Sequence, residues 1–427
     1  MAKNKTILCL VDRYYPESSA NTVCCDCIMK YFKEKGHTVD FLSIKDNIDG
    51  EKYSIYNGSN VIKIDNYYHL FLKKYRRVFR VKEWDNIPWV FRKFIGVVRK
   101  LRKLFKLSTQ NTALDNLNYK DIYNDITKIN KHYDIIISFC MPFALNVIAG
   151  KLMELGLANE WYSIFLDPFV NNKCLEHNKI TYRQKIAPKV LKNVKKIFMQ
   201  EGIIQENIKM GYNPEYHNKV IEIALPNLKD RKIQSKVDKS NTDILMTYAG
   251  HLYEDIRRPN QMLDIISQFP KNYTLQIIGD GCEDIIEKKK SLFKNSKLIM
   301  KGKIPFEKCL EEESRSNILV NIGNVITNQM PSKVFEYIST GKPVVNFYFS
   351  EDDLGLKYFK NYPLCFNLNV NNYTQNDVNN LIDFCNKNAY EKWSFEDATK
   401  NLHEYRSENI CKKIYEEIMI RDEIKKS

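Results

Sequence analysis

The feature of this 427-residue sequence that most limits its fold is the recurrence of short, unbroken apolar runs, each followed by a stretch with helical spacing. Thr6 to Val11 is such a run, Asp12 to Asn21 reads as loop, and Thr22 to Lys35 has the spacing of a helix. Gly36-His37 stops that helix before Thr38 to Ser43, which is apolar again. Parallel strands covered on both faces carry continuous apolar runs rather than alternating ones, so strand, helix and strand here predict a βαβ unit. After a less regular stretch the pattern returns at Tyr133 to Ser138, a helix near Leu145 to Leu155, Trp161 to Leu166 and Lys196 to Met199.

It restarts at Asp243 to Gly250, with Tyr273 to Gly279, Lys297 to Lys301, Ile318 to Ile322, Pro343 to Phe347 and Leu364 to Phe366 as successive strands. Two doubly wound α/β halves account for this better than one sheet, and the length exceeds what one hydrophobic core organises. The polar run Lys229 to Thr242 between the halves has linker composition. The expected layout is therefore 1–228, 243–400, and a C-terminal helix in 401–427 that packs back toward the first half.

The formal net charge of +14 favours an anionic partner. Much of the excess lies in Lys73 to Lys106, where 13 Lys and Arg stand against Glu83 and Asp85. Within it, Phe91 to Leu107 places Phe91, Phe94, Ile95, Val98, Leu101, Leu104 and Phe105 at helical spacing among seven cations. Such a helix suits an anionic lipid surface, although an ordinary solvated helix with its stripe on the core has the same pattern. A nucleic-acid partner is not expected, because no binding module accompanies the charge.

The start of the chain has too short an apolar run for a signal peptide and no window reaches a membrane span, so a cytoplasmic protein, peripheral at the inner face of the membrane, is expected. The eleven cysteines, scattered through apparent strands and helices, are read as reduced. The CxxC within Cys24, Cys25 and Cys27 has no partner pair or nearby histidine, so it is read as packing. No metal site is predicted.

In doubly wound sheets ligands gather at the carboxyl ends of the strands. The loop and helix after Ile318 to Ile322 contain Pro331-Ser332-Lys333, which opens a helix over Val334 to Thr340 ended by Gly341. Its first turn suits a diphosphate, with Ser332 and Lys333 adding a hydroxyl and a charge and Glu336 offering acceptors to ribose hydroxyls. An ordinary helix start with a solvated Glu336 has the same spacing. The loop after Asp243 to Gly250 holds Gly250, His251, Arg257 and Arg258, a backbone that a ligand can approach and three donors for phosphate oxygens. A third strand ends at Gly279.

Taken in order, the Gly250 loop with its arginines, IIGDGCED, KGKIPFEKCLEE and NQMPSKVFEYISTGKPVV resemble the nucleotide-binding half of GT-B glycosyltransferases, in particular the group 1 (family 4) enzymes. The opening ILCLVDRYYPESSANTVCCDCIMKYFKEKGHTVDFLS is similar to that family's first strand, loop and helix. The resemblance implies two Rossmann-like domains facing across a cleft and a UDP- or GDP-linked sugar as substrate rather than a bound cofactor. It implies metal-independent transfer, with retention, to a saccharide or lipid-linked acceptor in surface polysaccharide biosynthesis.

Carried over residue by residue, it puts Gly250, His251, Arg257, Arg258, Gly279, Gln329, Pro331, Ser332, Lys333 and Glu336 on the donor. Ser18, Ser19, Asn21 and Asn146 fall on the acceptor side. Asp167, in WYSIFLDPF, resembles the Asp of an Asp-Pro-Trp element and would serve as base or acceptor-orienting group; an Asx turn reads equally well. Besides Ser18-Ser19-Ala20-Asn21, which stand where a glycine pair is common, two departures stand out: Asn328 occupies the place of the first of two family glutamates, and Asn146 that of a frequent histidine. The former keeps a second reading open, a catalytically weakened protein that binds nucleotide sugar or a partner.

Overall fold

A computed structural model describes residues 4–15, 19–45, 50–65, 131–173, 177–232, 237 and 242–419. The cationic segment Phe91 to Leu107 and the 73–107 insertion lie outside the described residues, as does Ser18. The chain divides into two compact units, Met1–Leu225 with Ile410–Ser427, and Pro226–Asn409. The division falls a few residues before the polar run, so Pro226 to Arg231 already belong to the second unit.

The first unit is built on an eight-stranded sheet of order β3-β4-β2-β1-β5-β6-β7-β8. The strands are β1 Thr6–Leu10, β2 Thr38–Ile44, β3 Tyr53–Tyr56, β4 Ser59–Ile64, β5 Tyr133–Cys140, β6 Ala158–Phe165, β7 Lys196–Gln200 and β8 Val220–Ile223. All pairs are parallel except β3 with β4, a hairpin turned by Asn57-Gly58 with both residues at positive φ. That dipeptide is the usual solution for a two-residue hairpin loop. Helices α1 Ala20–Glu34, α2 Ala144–Glu154, α3 His177–Val190 and α4 Glu201–Lys209 belong to this unit. Ala144, Leu145, Ile148, Ala149 and Leu152 form the buried stripe of α2, which joins Ile136, Trp161 and Ile197 in the core.

Cys25 of α1 packs on Cys9 of β1 with their sulfurs 3.3 Å apart. Burial pushes the Cys25 thiol well above its ordinary value, which keeps it protonated. His37, past the end of α1, accepts from the Lys5 backbone N–H and meets the Tyr415 hydroxyl at 3.2 Å, so the chain's last described helix is tied to the first.

The second unit has a six-stranded parallel sheet of order β11-β10-β9-β12-β13-β14. Its strands are β9 Ile244–Ala249, β10 Tyr273–Ile278, β11 Lys297–Gly302, β12 Ile318–Ile322, β13 Val344–Tyr348 and β14 Cys365–Asn369. The helices are α5 Asn260–Ile266, α6 Glu283–Lys289, α7 Phe306–Arg315, α8 Lys333–Ile338, α9 Leu356–Lys360, α10 Gln375–Asn388 and α11 Phe395–Ala398; α12, Ser407–Met419, begins here and returns to the first unit. Leu275, Val320, Phe347 and Ile265 lie in its core. Within the unit the order is that of a six-stranded doubly wound sheet whose direction of winding reverses between its first and fourth strands, β9 and β12. No helix among the described residues is long and apolar enough to cross a membrane.

Candidate functional site

The winding of the second sheet reverses between β9 and β12, the place where doubly wound sheets bind ligands, and several candidate donor residues lie at the carboxyl ends of the strands there. Gly250 follows β9, and its N–H donates to the Ile278 carbonyl of β10. Gly279, at the end of β10, has φ +136°, and a Cβ built there would stand 2.0 Å from the Gly250 carbonyl oxygen. The two strand ends therefore touch backbone to backbone.

Arg257 is half-buried, and its Nε donates to the Asn324 side-chain oxygen at 2.7 Å. Asn324, beyond β12, donates in turn to the Gln329 carbonyl at 2.8 Å, while Val325 N–H donates to the Ile256 carbonyl. These bonds lace the loop after β9 to the loop after β12. Helix α8 is tied to the same place, because the Tyr337 hydroxyl accepts from the Ala249 N–H at 3.1 Å. Burial pushes the Tyr248 phenol up, against the pull of the Arg257 and Lys333 charges.

Lys333 and Glu336 sit in the first turn of α8. The Lys333 ammonium lies 2.9 Å from the buried Glu313 carboxylate and 3.0 Å from that of Glu336. Burial would lower this ammonium, but the two acids more than offset it and hold it well above its ordinary value. Burial likewise opposes ionisation of Glu336, and the charges of Lys333 and Arg231 outweigh it, so the carboxyl stays below its ordinary value. Glu336 is thus not the simple solvated acid that helix spacing allowed.

Pro331 is buried and Ser332, Gln329 and Glu336 are half-buried, whereas Asn328 is buried. Two further donor-side candidates have partners of their own outside this cluster. Arg258 is exposed and donates to the Glu254 carbonyl. His251 bonds Asp280 at the surface, its ring nitrogen 2.5 Å from the carboxylate.

Asn324 and Asp353 are two residues of this neighbourhood that the sequence patterns did not single out. Asp353 lies beyond β13, is buried, and presses its Oδ2 against Gly323, where a Cβ would come within 2.1 Å of it. Its Oδ1 accepts from the Gly355 N–H at 2.7 Å. Burial outweighs the pull of the Gly355, Leu356 and Asn324 N–H groups and of the Arg257 charge, and the carboxyl is pushed up from 3.8 to about 6.

Between these two values the folded chain keeps a proton that the unfolded chain has released, so stability falls as pH rises through the window. Above it the full penalty persists. Asp353→Asn is therefore expected to stabilise the second unit by about 2 kcal/mol at neutral pH and to do little at pH 4. Urea unfolding at the two pH values checks this, and an equal effect at both would refute the assignment.

In the first unit the corresponding reversal lies between β1 and β5. Ser19 caps α1 in a reciprocal box with Thr22 and its hydroxyl donates to Asp12 at 2.8 Å. Asn21 is buried and donates to the Met141 carbonyl at 3.0 Å. Asp167 is half-buried just beyond β6, at its carboxyl end. Asn146 needs a correction: it is not a loop residue facing an acceptor but a fully buried residue of α2. Its Oδ1 accepts from the Ser138 and Ser163 hydroxyls at 2.8 and 2.5 Å, and Ser138 also accepts from the Trp161 indole. A small amide fills that space and satisfies the two hydroxyls of adjacent strands.

Among the described residues no group of three or more His, Cys, Asp or Glu is placed to hold a metal ion. No protein-family model matches the chain, and no curated protein matches it in sequence. Solved structures do match over nearly the whole length. A sucrose-phosphate synthase from Thermosynechococcus elongatus has a TM-score of 0.60 at 11% identity, covering 99% of this chain and 100% of its own. HepE of Anabaena, in complex with UDP and glucose, has a TM-score of 0.57 at 12% identity over 97% and 99%. The apo lipopolysaccharide outer core galactosyltransferase WaaB has a TM-score of 0.53 at 12% identity over 96% and 98%. With two parallel-sheet units wound in this order and likeness along the entire chain, the protein has the GT-B fold of glycosyltransferases.

Proposed function

We propose that this chain is a glycosyltransferase that takes a UDP- or GDP-linked sugar in its second unit and passes the sugar to a saccharide or lipid-linked saccharide held by the first, in surface polysaccharide biosynthesis. The observation that carries the reading is that Arg257, bonded to Asn324 beyond β12, and the Lys333–Glu336 pair of α8, whose Tyr337 bonds the end of β9, stand at the carboxyl ends of β9 and β12. HepE, of like fold, is known in complexes with UDP and with UDP-glucose, which supports a nucleotide sugar as the occupant.

In this reading the bond from the sugar's anomeric carbon to the β-phosphate oxygen breaks, and its electron pair leaves with the diphosphate. Arg257 and Lys333 meet the growing charge there, the role that preorganised donors fill in charge-separating steps. The acceptor oxygen takes the vacated place with retained configuration, Asp167 orients it, and its proton departs to solvent. Glu336 takes the ribose hydroxyls. No metal is part of the scheme.

The test is nucleotide release from a panel of UDP-, GDP- and CMP-sugars, with and without EDTA. Release from a UDP- or GDP-sugar that survives EDTA, and that falls about tenfold or more in Glu336→Gln, is the expected result, since a charge-assisted bond is lost. Binding without release would leave the weakened binding protein that Asn328 suggests, and no binding of any member ends both readings. The seat at an anionic membrane through Phe91 to Leu107 is decided by vesicle sedimentation, where protein that stays in the supernatant removes that part.

A further inference from the structure

The segment by which the chain enters the second unit is stitched to the segment by which it leaves. Leu228 pairs with Arg406 as an isolated parallel bridge, Ser407 N–H donates to the Leu228 carbonyl at 2.7 Å, and the Ser407 hydroxyl donates to the Pro226 carbonyl at 3.0 Å. Asn227, between those anchored neighbours, is only 2% exposed. Its side-chain nitrogen points to Glu336 Oε1 at 3.4 Å, and its oxygen accepts from Arg231 Nη2 at 3.3 Å. Arg231 closes the triangle, with Nη1 at 3.7 Å from Glu336 Oε2 and its side chain 10% exposed. The Arg231 Nε is buried without a hydrogen-bond partner.

A buried guanidinium with an unsatisfied N–H is held at a cost, and the polar run from which it comes offers solvent as an easy alternative. Its position therefore asks for a reason beyond the fold. Glu336 already has a cation in Lys333, but Lys333 is shared with Glu313 and approaches from the helix's own first turn. Asn227 and Arg231 reach Glu336 instead from a segment 109 and 105 residues earlier, one near each carboxylate oxygen.

We propose that Arg231, oriented by Asn227, is a positioning residue for the nucleotide: it holds the Glu336 carboxylate so that the acid accepts the two ribose hydroxyls. The proposal rests on the nucleotide-sugar reading of the site and adds to it a residue that lies in the linker-like tract. It acts through Glu336 and leaves the diphosphate contacts of Arg257 and Lys333 alone.

The experiment is isothermal titration of UDP and GDP, and of their 2′,3′-dideoxy counterparts, into the full chain and into its R231Q, R231K and N227A variants. Wild type is expected to prefer the ribose form by about tenfold or more, the worth of charge-assisted hydrogen bonds to both hydroxyls. R231Q should cut that preference to about threefold or less while its affinity for the dideoxy form stays within about twofold, and R231K should restore part of it.

An undiminished preference in R231Q overturns the proposal and leaves the transferase reading standing. Equal weakening toward both forms also overturns it, because a merely structural residue would act that way. If wild type binds none of the nucleotides, the transferase reading falls and this one falls with it.

Discussion

Gly279→Ala is expected to destabilise the second unit by about 4 kcal/mol and to abolish nucleotide binding, the first from left-handed strain plus forced overpacking and the second from displacement of the Gly250 loop. The added methyl would sit 2.0 Å from the Gly250 carbonyl oxygen and 2.8 Å from its carbon. Those atoms are backbone, so no side chain can turn away to make room. The Gly250 N–H is itself fixed to the Ile278 carbonyl, one residue before the substitution, so relief requires parting β9 from β10.

Gly58 provides the control. It too has positive φ, +73°, in the hairpin between β3 and β4, yet nothing lies within 4 Å of a Cβ built there. Gly58→Ala should therefore cost about 1 kcal/mol, the conformational part alone. Urea unfolding of the two variants separates the contributions. Equal, small losses in both would mean that the two strand ends in the second unit are not in contact as described.

The same contrast shows what could be read from residues alone. Apolar runs mark β1, β2, β5, β6 and β7 and all six strands of the second sheet. For central strands such as β9, β12 and β13 the cause is burial on both faces, which leaves little choice of residue. β11, by contrast, is a largely exposed edge strand marked only by its Leu298-Ile299-Met300 centre. The hairpin of β3 and β4 went unread, although Asn57-Gly58 between two β-prone runs marks such a turn. β8, Val220–Ile223, has four residues and a charge among them, too few for a period to show.

At the site, Arg257 is legible as a cation on the loop after β9, and Lys333 and Glu336 as a cation and an acid in the first turn of α8. Their partners are not. Glu313 lies on α7, Asn227 and Arg231 on the crossing segment and Asp353 beyond β13, and only the winding of the sheet brings such distant residues together. Asn146 failed in the opposite direction. A match to a loop and helix of the resembled subgroup suggested an acceptor contact, but the side chain faces Ser138 and Ser163 inside the sheet, where a small polar group was needed.

Lys333→Met is expected to lower stability by about 3 kcal/mol and transfer by about a hundredfold, and the two losses have separable causes. Methionine keeps the stem and its packing near Tyr337 while removing the charge. Glu313, 2% exposed, then has no ammonium at 2.9 Å and must either ionise in an apolar setting or take up a proton, while Glu336 retains Arg231. Removing one member of a buried ion pair is costly for this reason, whereas removing both can be nearly neutral.

The double variant Glu313→Gln with Lys333→Met should accordingly regain most of the lost stability, since a neutral amide replaces the stranded carboxylate. It should not regain transfer, because no ammonium remains to meet charge on the departing diphosphate. Chemical denaturation and nucleotide release, measured on both variants, give the four numbers needed. Recovery of transfer together with stability would show that Lys333 serves only to neutralise Glu313 and Glu336, and the diphosphate would then have to be held by Arg257 and the backbone of the strand ends.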